Sequence, residues 1–330
     1  MKLVRIVLFI VHLVVLSLLA GTIFNAYISP KSFPYFNFLS LGFPFLMISN
    51  VLIIVFWIFS FKKRAVVFII ITVFFLTPIR RWINYVPKTQ TKGKIINVIT
   101  FNNKNSFYGK ARVESFLDSK NADVIMLQEA GYGNNNEPKL NHYEHQIHGS
   151  IVSFYTNHKI LKQGDIDFLS NGEAMYLDLE IDGKKIRFIN IYLEPFQLHK
   201  SMVKPSSSIE VNEVKAKGLV KRFIPVFKIH SEQVDILKEF IQQSPYPVIL
   251  GGDFNSVPNS YEYYTINSLL NDAFLDGGSG SGTSFHDYKF PIRIDYLFTS
   301  KEIICQKYSI DRTEKMSDHY PVLAEFSFKN

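Results

Sequence analysis

The first 86 residues of this 330-residue chain set the strongest limit on its fold, because they are apolar and contain no acidic residue. Aspartate and glutamate are absent before Glu114, whereas the rest of the chain has the mixed composition of a soluble domain. A bilayer is crossed by about 20 apolar residues, and a helix packed on a soluble core would show a polar face that this segment lacks. The pattern therefore predicts three transmembrane helices, at about 3–24, 39–61 and 65–83.

Lysine and arginine predict the orientation of these helices. Lys2 and Arg5 flank the first apolar block and Lys62-Lys63-Arg64 separates the second from the third, whereas the first loop has only Lys31. Basic residues in short loops remain cytoplasmic. We therefore predict a multi-pass protein of the cytoplasmic (inner) membrane whose carboxy-terminal domain lies on the outer, periplasmic face. Arg80-Arg81 opposes this orientation.

The remaining sequence alternates short apolar runs with turn residues. Residues 1–86 are the predicted membrane anchor, 87–94 a polar linker and 95–330 one catalytic domain. A hairpin is expected at Asp182-Gly183, and a helix over 209–243 is expected to break near Pro225. Many strands and few helices predict an α+β domain of two packed sheets with helices outside. Cys305 is the only cysteine, which excludes an intrachain disulfide and a cysteine-cluster metal site.

One stretch of the second half, Val248 to Pro258, joins an apolar run to Gly251-Gly252, and Asp253 and Asn255 follow the glycines. The glycines allow a sharp turn or a close approach of another group. A carboxylate and a carboxamide at a strand end can hold a nucleophile and an oxyanion, but the same residues also suit an Asx turn. Polar residues recur at the other predicted strands and favour a site: Asn102, Glu129, Tyr192, Asp295 and Ser317-Asp318-His319.

These residue types suit metal-assisted attack of water on a phosphoester. Magnesium prefers carboxylate and amide oxygens, which predicts a metal site from Glu129, Asn102 and Asp318. A histidine can activate water when a carboxylate orients its other ring nitrogen, and His319 with Asp295 would form that pair. A serine esterase is less favoured, because the sequence has no Gly-x-Ser-x-Gly turn.

Five segments, in this order, resemble the endonuclease/exonuclease/phosphatase superfamily, which includes deoxyribonuclease I: 100–102, 123–129, 251–255, 293–298 and 317–319. The resemblance covers roughly residues 94 to 328. It implies a four-layered α/β sandwich of two packed, mainly antiparallel sheets, and a phosphoesterase that uses Mg²⁺, with Mn²⁺ as an alternative. Residues 244–255 and 278–283 also resemble the membrane-anchored bacterial branch.

The resemblance also implies a role for each site residue. Asn102 and Glu129 match the metal ligands, and Asp318 matches a second acid near the metal. Asp253 and Asn255 match the pair that positions the nucleophile and stabilises the transition state. Asp295 matches the acid that orients the catalytic histidine, which His319 matches. Tyr192 stands where many members carry a histidine, although abasic-site endonucleases also have tyrosine there.

The sequence therefore predicts a membrane-anchored, magnesium-dependent phosphoesterase in which water activated by histidine and aspartate hydrolyses a phosphodiester. Nucleic acid is the first expected substrate. A lipid or a small-molecule phosphoester, as for a sphingomyelinase or an inositol phosphatase, is the alternative. A tethered binding protein with little catalysis is the rival from another class, and Tyr192 is its main support. Besides the substrate and the lipid bilayer, no partner is predicted.

Overall fold

The computed structural model describes residues 2–87, 93–131, 133, 136–287 and 292–329. The helices of these residues are α1 (Lys2–Phe24), α2 (Tyr35–Phe59), α3 (Arg64–Val73), α4 (Leu76–Arg80), α5 (Lys110–Lys120), α6 (Lys200–Val203), α7 (Ile209–Gln242), α8 (Tyr261–Asn267) and α9 (Ala273–Gly277). The strands are β1 (Ile83–Asn84), β2 (Ile96–Asn102), β3 (Val124–Gln128), β4 (His145–His148), β5 (Ser153–Thr156), β6 (Lys159–Ile166), β7 (Glu173–Ile181), β8 (Lys184–Tyr192), β9 (Val248–Asp253), β10 (Asn271–Asp272), β11 (Gly280–Ser281), β12 (Asp295–Thr299), β13 (Ile303–Ile310) and β14 (Val322–Phe328).

The amino-terminal helices α1 and α2 are long and apolar enough to span a membrane, at 23 and 25 residues. Many of their apolar side chains are exposed: Leu3 is 72% exposed and Leu52 is 64% exposed. A soluble protein rarely exposes an apolar surface of this extent. By length and composition, these two helices are therefore candidates for membrane spans.

The third predicted span is wrong, because the segment does not form one long helix. Helix α3 has 10 residues and α4 has 5, and the chain turns at Phe74 and Phe75 between them. Pro78 gives a physical reason, since a proline ring clashes with the carbonyl of the residue four positions earlier, here Phe74. Among the described residues, two helices, not three, are both long and apolar enough to cross a membrane.

The carboxy-terminal domain contains two six-stranded mixed sheets, which confirms the α+β class. One sheet has the order β13-β14-β2-β3-β5-β4 and the other β10-β12-β9-β8-β7-β6. Each sheet has one parallel pair, β2 with β3 and β8 with β9, among antiparallel neighbours. A two-stranded sheet of β1 and β11 joins the amino-terminal region to this domain.

The main apolar core lies between the two sheets. Val98 and Met126 from one sheet pack there with Leu177 and Phe188 from the other. Helix α5 covers the outer face of the first sheet, and α7 and α8 cover the outer face of the second. The order of layers is thus helix, sheet, sheet and helix, as expected for a four-layered sandwich of the deoxyribonuclease I type.

Two local predictions had different outcomes. The hairpin at Asp182-Gly183 is confirmed, with both residues at positive φ between β7 and β8. The expected helix break near Pro225 is wrong, because α7 continues through that residue, which lies on the exposed side. Most of the predicted linker, 88–92, lies outside the described residues, and the domain bounds stay a prediction.

Buried hydrogen bonds join the amino-terminal helices to the catalytic domain. The backbone oxygen of Asn259 accepts from Asn25 Nδ2 at 2.9 Å and from Ser40 Oγ at 2.7 Å. Asn37 Nδ2 donates to both carboxylate oxygens of Glu262, at 3.1 and 3.0 Å. The start of α2 is therefore held against the segment that follows β9.

Candidate active site

The predicted site residues meet in one cleft at the ends of strands from both sheets. In the second sheet, Asp253 of β9 lies opposite Tyr192 of β8 on one side and Asp295 of β12 on the other. The first sheet contributes Asn102, the last residue of β2, and Glu129, which follows β3. The cleft has a volume of about 400 Å³, and Glu129, Tyr192, Asp253, Asn255, Asp318 and His319 are among its lining residues.

The two glycines of β9 allow this convergence. A Cβ on Gly251 would lie 2.6 Å from Met126 Cε, a side chain of the facing sheet. A Cβ on Gly252 would lie 2.0 Å from the backbone oxygen of Ile191, and its φ of +143° is one that L residues rarely adopt. A larger residue at Gly251 would therefore push away the facing sheet, and one at Gly252 would push away strand β8. Asp253 contacts residues of both.

Asp253 belongs both to a turn and to the cluster in the cleft. Its Oδ1 accepts from the backbone N–H of Asn255 at 2.8 Å, the bond that defines an Asx turn. Its Oδ2 accepts from Asn102 Nδ2 at 3.0 Å, across the interface between the sheets. The two interpretations of this stretch are thus compatible, because the turn uses one oxygen and leaves the other to the site. Asn255 has a φ of +47° and donates its side-chain amide to the oxygen of Leu193.

His319 and Asp295 form the expected buried pair. Nδ1 of His319 lies 2.8 Å from Asp295 Oδ2, and Nε2 lies 3.8 Å from Asp253 Oδ2. Burial lowers the pKa of His319, but the carboxylates of Asp295 and Asp253 outweigh it and raise that pKa to about 10. Burial raises the pKa of Asp253 to about 7, although the neighbouring His319 lowers it. An imidazole and a carboxylate, each with a displaced pKa, therefore lie side by side, an arrangement suited to proton transfer.

Glu129 lies across the cleft from this pair. Its Oε1 accepts from Asn102 Nδ2 and from the hydroxyl of Tyr192, both at 3.0 Å. Glu129 itself has a φ of +48°, a conformation that is uncommon for a residue with a side chain. Burial, followed by the charges of Glu129 and Asp253, raises the pKa of Tyr192 well above its ordinary value. Tyr192 is therefore a neutral hydrogen-bond donor.

The donor set at this end of the cleft fits a hard divalent cation. Glu129 and Asp253 offer carboxylate oxygens on either side of the Asn102 amide. Oxygen ligands of this kind suit Mg²⁺ or Mn²⁺. The atoms of Asp253, Asp295 and His319 also lie within 4.8 Å of one another and form a second group of ligand types. Because His319 and Asp295 are already joined through Nδ1, we assign these two to the proton-transfer pair.

Asp318 has a partner that the sequence did not predict. Its Oδ2 accepts from the ammonium group of Lys104, and its Oδ1 accepts from Ser317 Oγ at 3.1 Å. Burial acts to raise the pKa of Asp318, but the charges of His319 and Lys104 lower it overall. Lys104 has a φ of +48° and lies in the loop after β2. The run Asn102-Asn103-Lys104-Asn105 is the one sequence feature that indicates a turn here, since asparagine tolerates a left-handed conformation.

The apolar wall of the cleft was also missed. Leu41 of α2, Phe196 and Phe223 of α7 line the cleft together with the polar residues. Leu41 comes from a predicted transmembrane segment, so its place beside the site follows only from the docking of α2. No local pattern in the sequence indicates that contact.

Comparisons with known proteins agree with this fold. Residues 218–319 match the model of the Endonuclease/Exonuclease/phosphatase family, and residues 4–82 match a domain of unknown function, DUF8431. No curated protein matches the chain.

Several solved structures have the same fold. D. rerio TDP2 complexed with single strand DNA product has a TM-score of 0.53 and 14% identity, over 71% of this chain and 100% of that one. Truncated Caenorhabditis elegans TDP2 has a TM-score of 0.51 and 20% identity, over 73% and 100%. An endonuclease/exonuclease/phosphatase family protein from Bacteroides thetaiotaomicron has a TM-score of 0.51 and 16% identity, over 73% and 100%. At these identities the likeness establishes the fold alone, and the family model matches 102 of the 330 residues. Residues 218–319 are therefore similar to the endonuclease/exonuclease/phosphatase family, and the domain that contains them has the fold of the solved structures above.

Proposed function

We propose that this protein is a membrane-anchored, divalent-metal-dependent phosphodiesterase. The observation that carries the proposal is the buried cluster in which Asp253 lies between the His319–Asp295 pair and the Glu129–Asn102 pair. Unpaired charges are costly to bury, and a cleft that gathers three carboxylates and an imidazole indicates a catalytic function.

In the proposed reaction, water attacks phosphorus, and the P–O bond to the leaving group breaks. The proton of the attacking water passes to the pair formed by Asp253 and His319, and Asp295 holds the imidazole through Nδ1. Asn255 positions the nucleophile and stabilises the developing negative charge. The leaving oxygen takes up a proton from the same cleft, so that the products are a phosphomonoester and an alcohol.

The proposed metal ion is Mg²⁺, with Mn²⁺ as an alternative, held by Glu129 and Asn102, with Asp318 nearby. To ligate the ion, Asn102 would turn its amide, because Nδ2 faces the carboxylates and Oδ1 accepts from the backbone N–H of Lys104. When bound, such an ion polarises a phosphoryl oxygen and neutralises its charge. Tyr192 fixes the orientation of Glu129 by donating to Oε1. Tyr192 thus has a function compatible with catalysis, which weakens the rival of a binding protein with little activity.

We also propose that α1 and α2 anchor the chain in the cytoplasmic membrane, and that α3 and α4 lead it back from the basic end to the catalytic domain on the outer, periplasmic face. Lys2, Arg5, Lys62 and Arg64 gather around one pocket at one end of the helices. Asn25 and Asn37, which contact the catalytic domain, lie at the connection between α1 and α2, the opposite end of both helices. A cytoplasmic basic end would therefore leave the catalytic domain outside.

The sequence predicts nucleic acid as the first substrate, and this stays a prediction. Its support is the TDP2 structure with a single strand DNA product, which shares the fold. A lipid phosphoester, the alternative, is favoured by the apolar wall of the cleft.

The proposed activity is tested with the full chain in lipid nanodiscs and the soluble diester bis-p-nitrophenyl phosphate. We expect turnover that requires Mg²⁺ or Mn²⁺ and falls at least about 100-fold in His319→Ala, because general acid–base catalysis contributes that much. Turnover independent of metal, or a His319→Ala variant as active as the natural chain, would contradict the proposal.

A further inference from the structure

The cleft has two chemically different walls. The wall opposite the carboxylates contains Leu41 and Phe223, and Phe223 stacks on Phe196 with ring centroids 4.3 Å apart. Phe38, one turn before Leu41 in α2, contacts Phe223 at 5.7 Å and Phe227 at 5.0 Å between ring centroids. A helix long and apolar enough to span a membrane therefore forms part of the cleft and packs on α7 beside it.

The first four turns of α7 have no buried residue. None of residues 209–222 is buried, although they form about four helical turns. Ile209 is 84% exposed and Val214 is 70% exposed. Most of the stability of a helix comes from packing of an apolar face. Here the described chain contacts one side of these turns through polar residues, Asn212, Lys215 and Arg222, and leaves the apolar residues Ile209 and Val214 exposed.

The same region is basic. Residues 200–222 contain two acidic residues, at 210 and 213, and six basic residues: Lys200, Lys204, Lys215, Lys217, Lys221 and Arg222. Helices with exposed apolar residues and many lysines bind the surface of a bilayer, where the apolar side chains enter the boundary and the lysines contact anionic headgroups. The position of this helix beside α2 gives it that surface.

We propose that residues 200–223 rest on the bilayer and that the substrate is a membrane lipid phosphoester. Its headgroup enters the cleft between Glu129 and His319, and its hydrocarbon chains remain against Leu41 and Phe223. This inference rests on the proposed function, and the chemistry is the same: water bonds to phosphorus, the P–O bond to the alcohol breaks, and the alcohol oxygen gains a proton.

A polynucleotide fits this surface less well. Binding of a single strand needs a basic groove with aromatic faces open for base stacking. The cleft aromatics Phe196 and Phe223 stack on each other, and the exposed lysines of α7 alternate with exposed valines and isoleucine.

The membrane contact can be tested without catalysis. Val214→Cys is labelled with an environment-sensitive fluorophore in the full chain, in nanodiscs that contain phosphatidylglycerol and spin-labelled lipid. Lys185→Cys, exposed at the end of β8 far from Tyr192, is the matched control, and the natural Cys305 is buried. We expect quenching at position 214 and none at 185. Equal signals at the two positions would overturn the proposal.

The substrate class is tested with the same nanodisc protein on phosphatidylglycerol, on single-stranded DNA and on bis-p-nitrophenyl phosphate. Leu41→Gln removes apolar contact from the wall, and the joint change Ile209→Ser with Val214→Ser alters only exposed positions. Each variant should lose lipid turnover by about tenfold more than turnover of the soluble diester, because one apolar contact of this size contributes that much.

The possible results separate the two proposals. Turnover of the soluble diester and of DNA, lost in His319→Ala, without lipid turnover would overturn only the lipid inference. Turnover of no substrate would overturn the proposed function and the lipid inference together, while the quenching result would still decide whether α7 contacts the bilayer.

Discussion

Replacement of Tyr192 by phenylalanine is the sharpest test of the site, because it removes one hydroxyl from one defined contact. That hydroxyl donates to Glu129 Oε1 at 3.0 Å, and the same oxygen keeps a second donor, Asn102 Nδ2. Hydrogen bonds to charged groups contribute about 1.5–3 kcal/mol, or roughly 10- to 150-fold in an equilibrium constant. Since Glu129 keeps one hydrogen-bond donor, we expect the protein to remain folded. We expect the carboxylate of Glu129 to be held less firmly in its position.

The assay measures hydrolysis of bis-p-nitrophenyl phosphate as a function of Mg²⁺ concentration. Tyr192→Phe should raise the Mg²⁺ concentration at half-maximal activity by about 10-fold or more, whereas the rate at saturating Mg²⁺ should fall less. Tyr192→His, which introduces the residue of many superfamily members, is the control that retains a donor. An unchanged Mg²⁺ dependence with a lower maximal rate would refute the reasoning, because it would make Tyr192 a direct participant in the chemical step.

Three further predictions follow from the geometry. Asp295→Asn should lower the pKa of His319, because the Asp295 carboxylate is the strongest influence that raises this pKa. The same change should lower turnover at least about 100-fold. Histidine NMR titration measures the first effect, and kinetics measure the second. Gly252→Ala should destabilise the protein by about 3 kcal/mol or more, since the new Cβ would lie 2.0 Å from the backbone oxygen of Ile191. Gly218→Ala in α7, where a Cβ meets open space, is the control. Equal midpoints of thermal unfolding for the two variants in nanodiscs would contradict this prediction. Chelation by EDTA should abolish hydrolysis and added Mg²⁺ should restore it, and activity that survives dialysis against EDTA would exclude a metal at Glu129.

The parts of the site that the sequence predicts are those carried by central strands. Asp253 and Asp295 follow or occupy apolar runs that are buried on both faces, where an acid is conspicuous. The sequence predicts no strand at β4, β6 or β13, and each of these strands lies at the edge of a sheet. An edge strand pairs on one side only and carries polar residues, as β6 does with its single buried residue. Such a strand lacks the apolar run from which strands are predicted in a sequence.

Other features depend on contacts that no local pattern encodes. Lys104 pairs with Asp318 across more than 200 positions of sequence, and its own surroundings resemble an ordinary polar turn. The third apolar block was predicted from its composition, but Pro78 sets the local geometry and divides it into α3 and α4. Composition therefore predicted the character of the anchor but not where its helices end.

The polar residues of the anchor bear on what the anchor does. Polar side chains in apolar segments are costly unless they are paired, and a simple tether would have no need of them. Here Asn37 donates to Glu262, whose Oε1 lies 2.9 Å from His230 Nδ1 in α7, and all three side chains are buried. His230 Nε2 in turn lies 2.7 Å from the backbone oxygen of Glu194, two residues beyond Tyr192. A buried chain of hydrogen bonds thus connects α2 to the strand end that carries Tyr192. Removal of the anchor would leave Glu262 buried with fewer donors, and this is why activity should be measured on the full chain and not on the isolated catalytic domain.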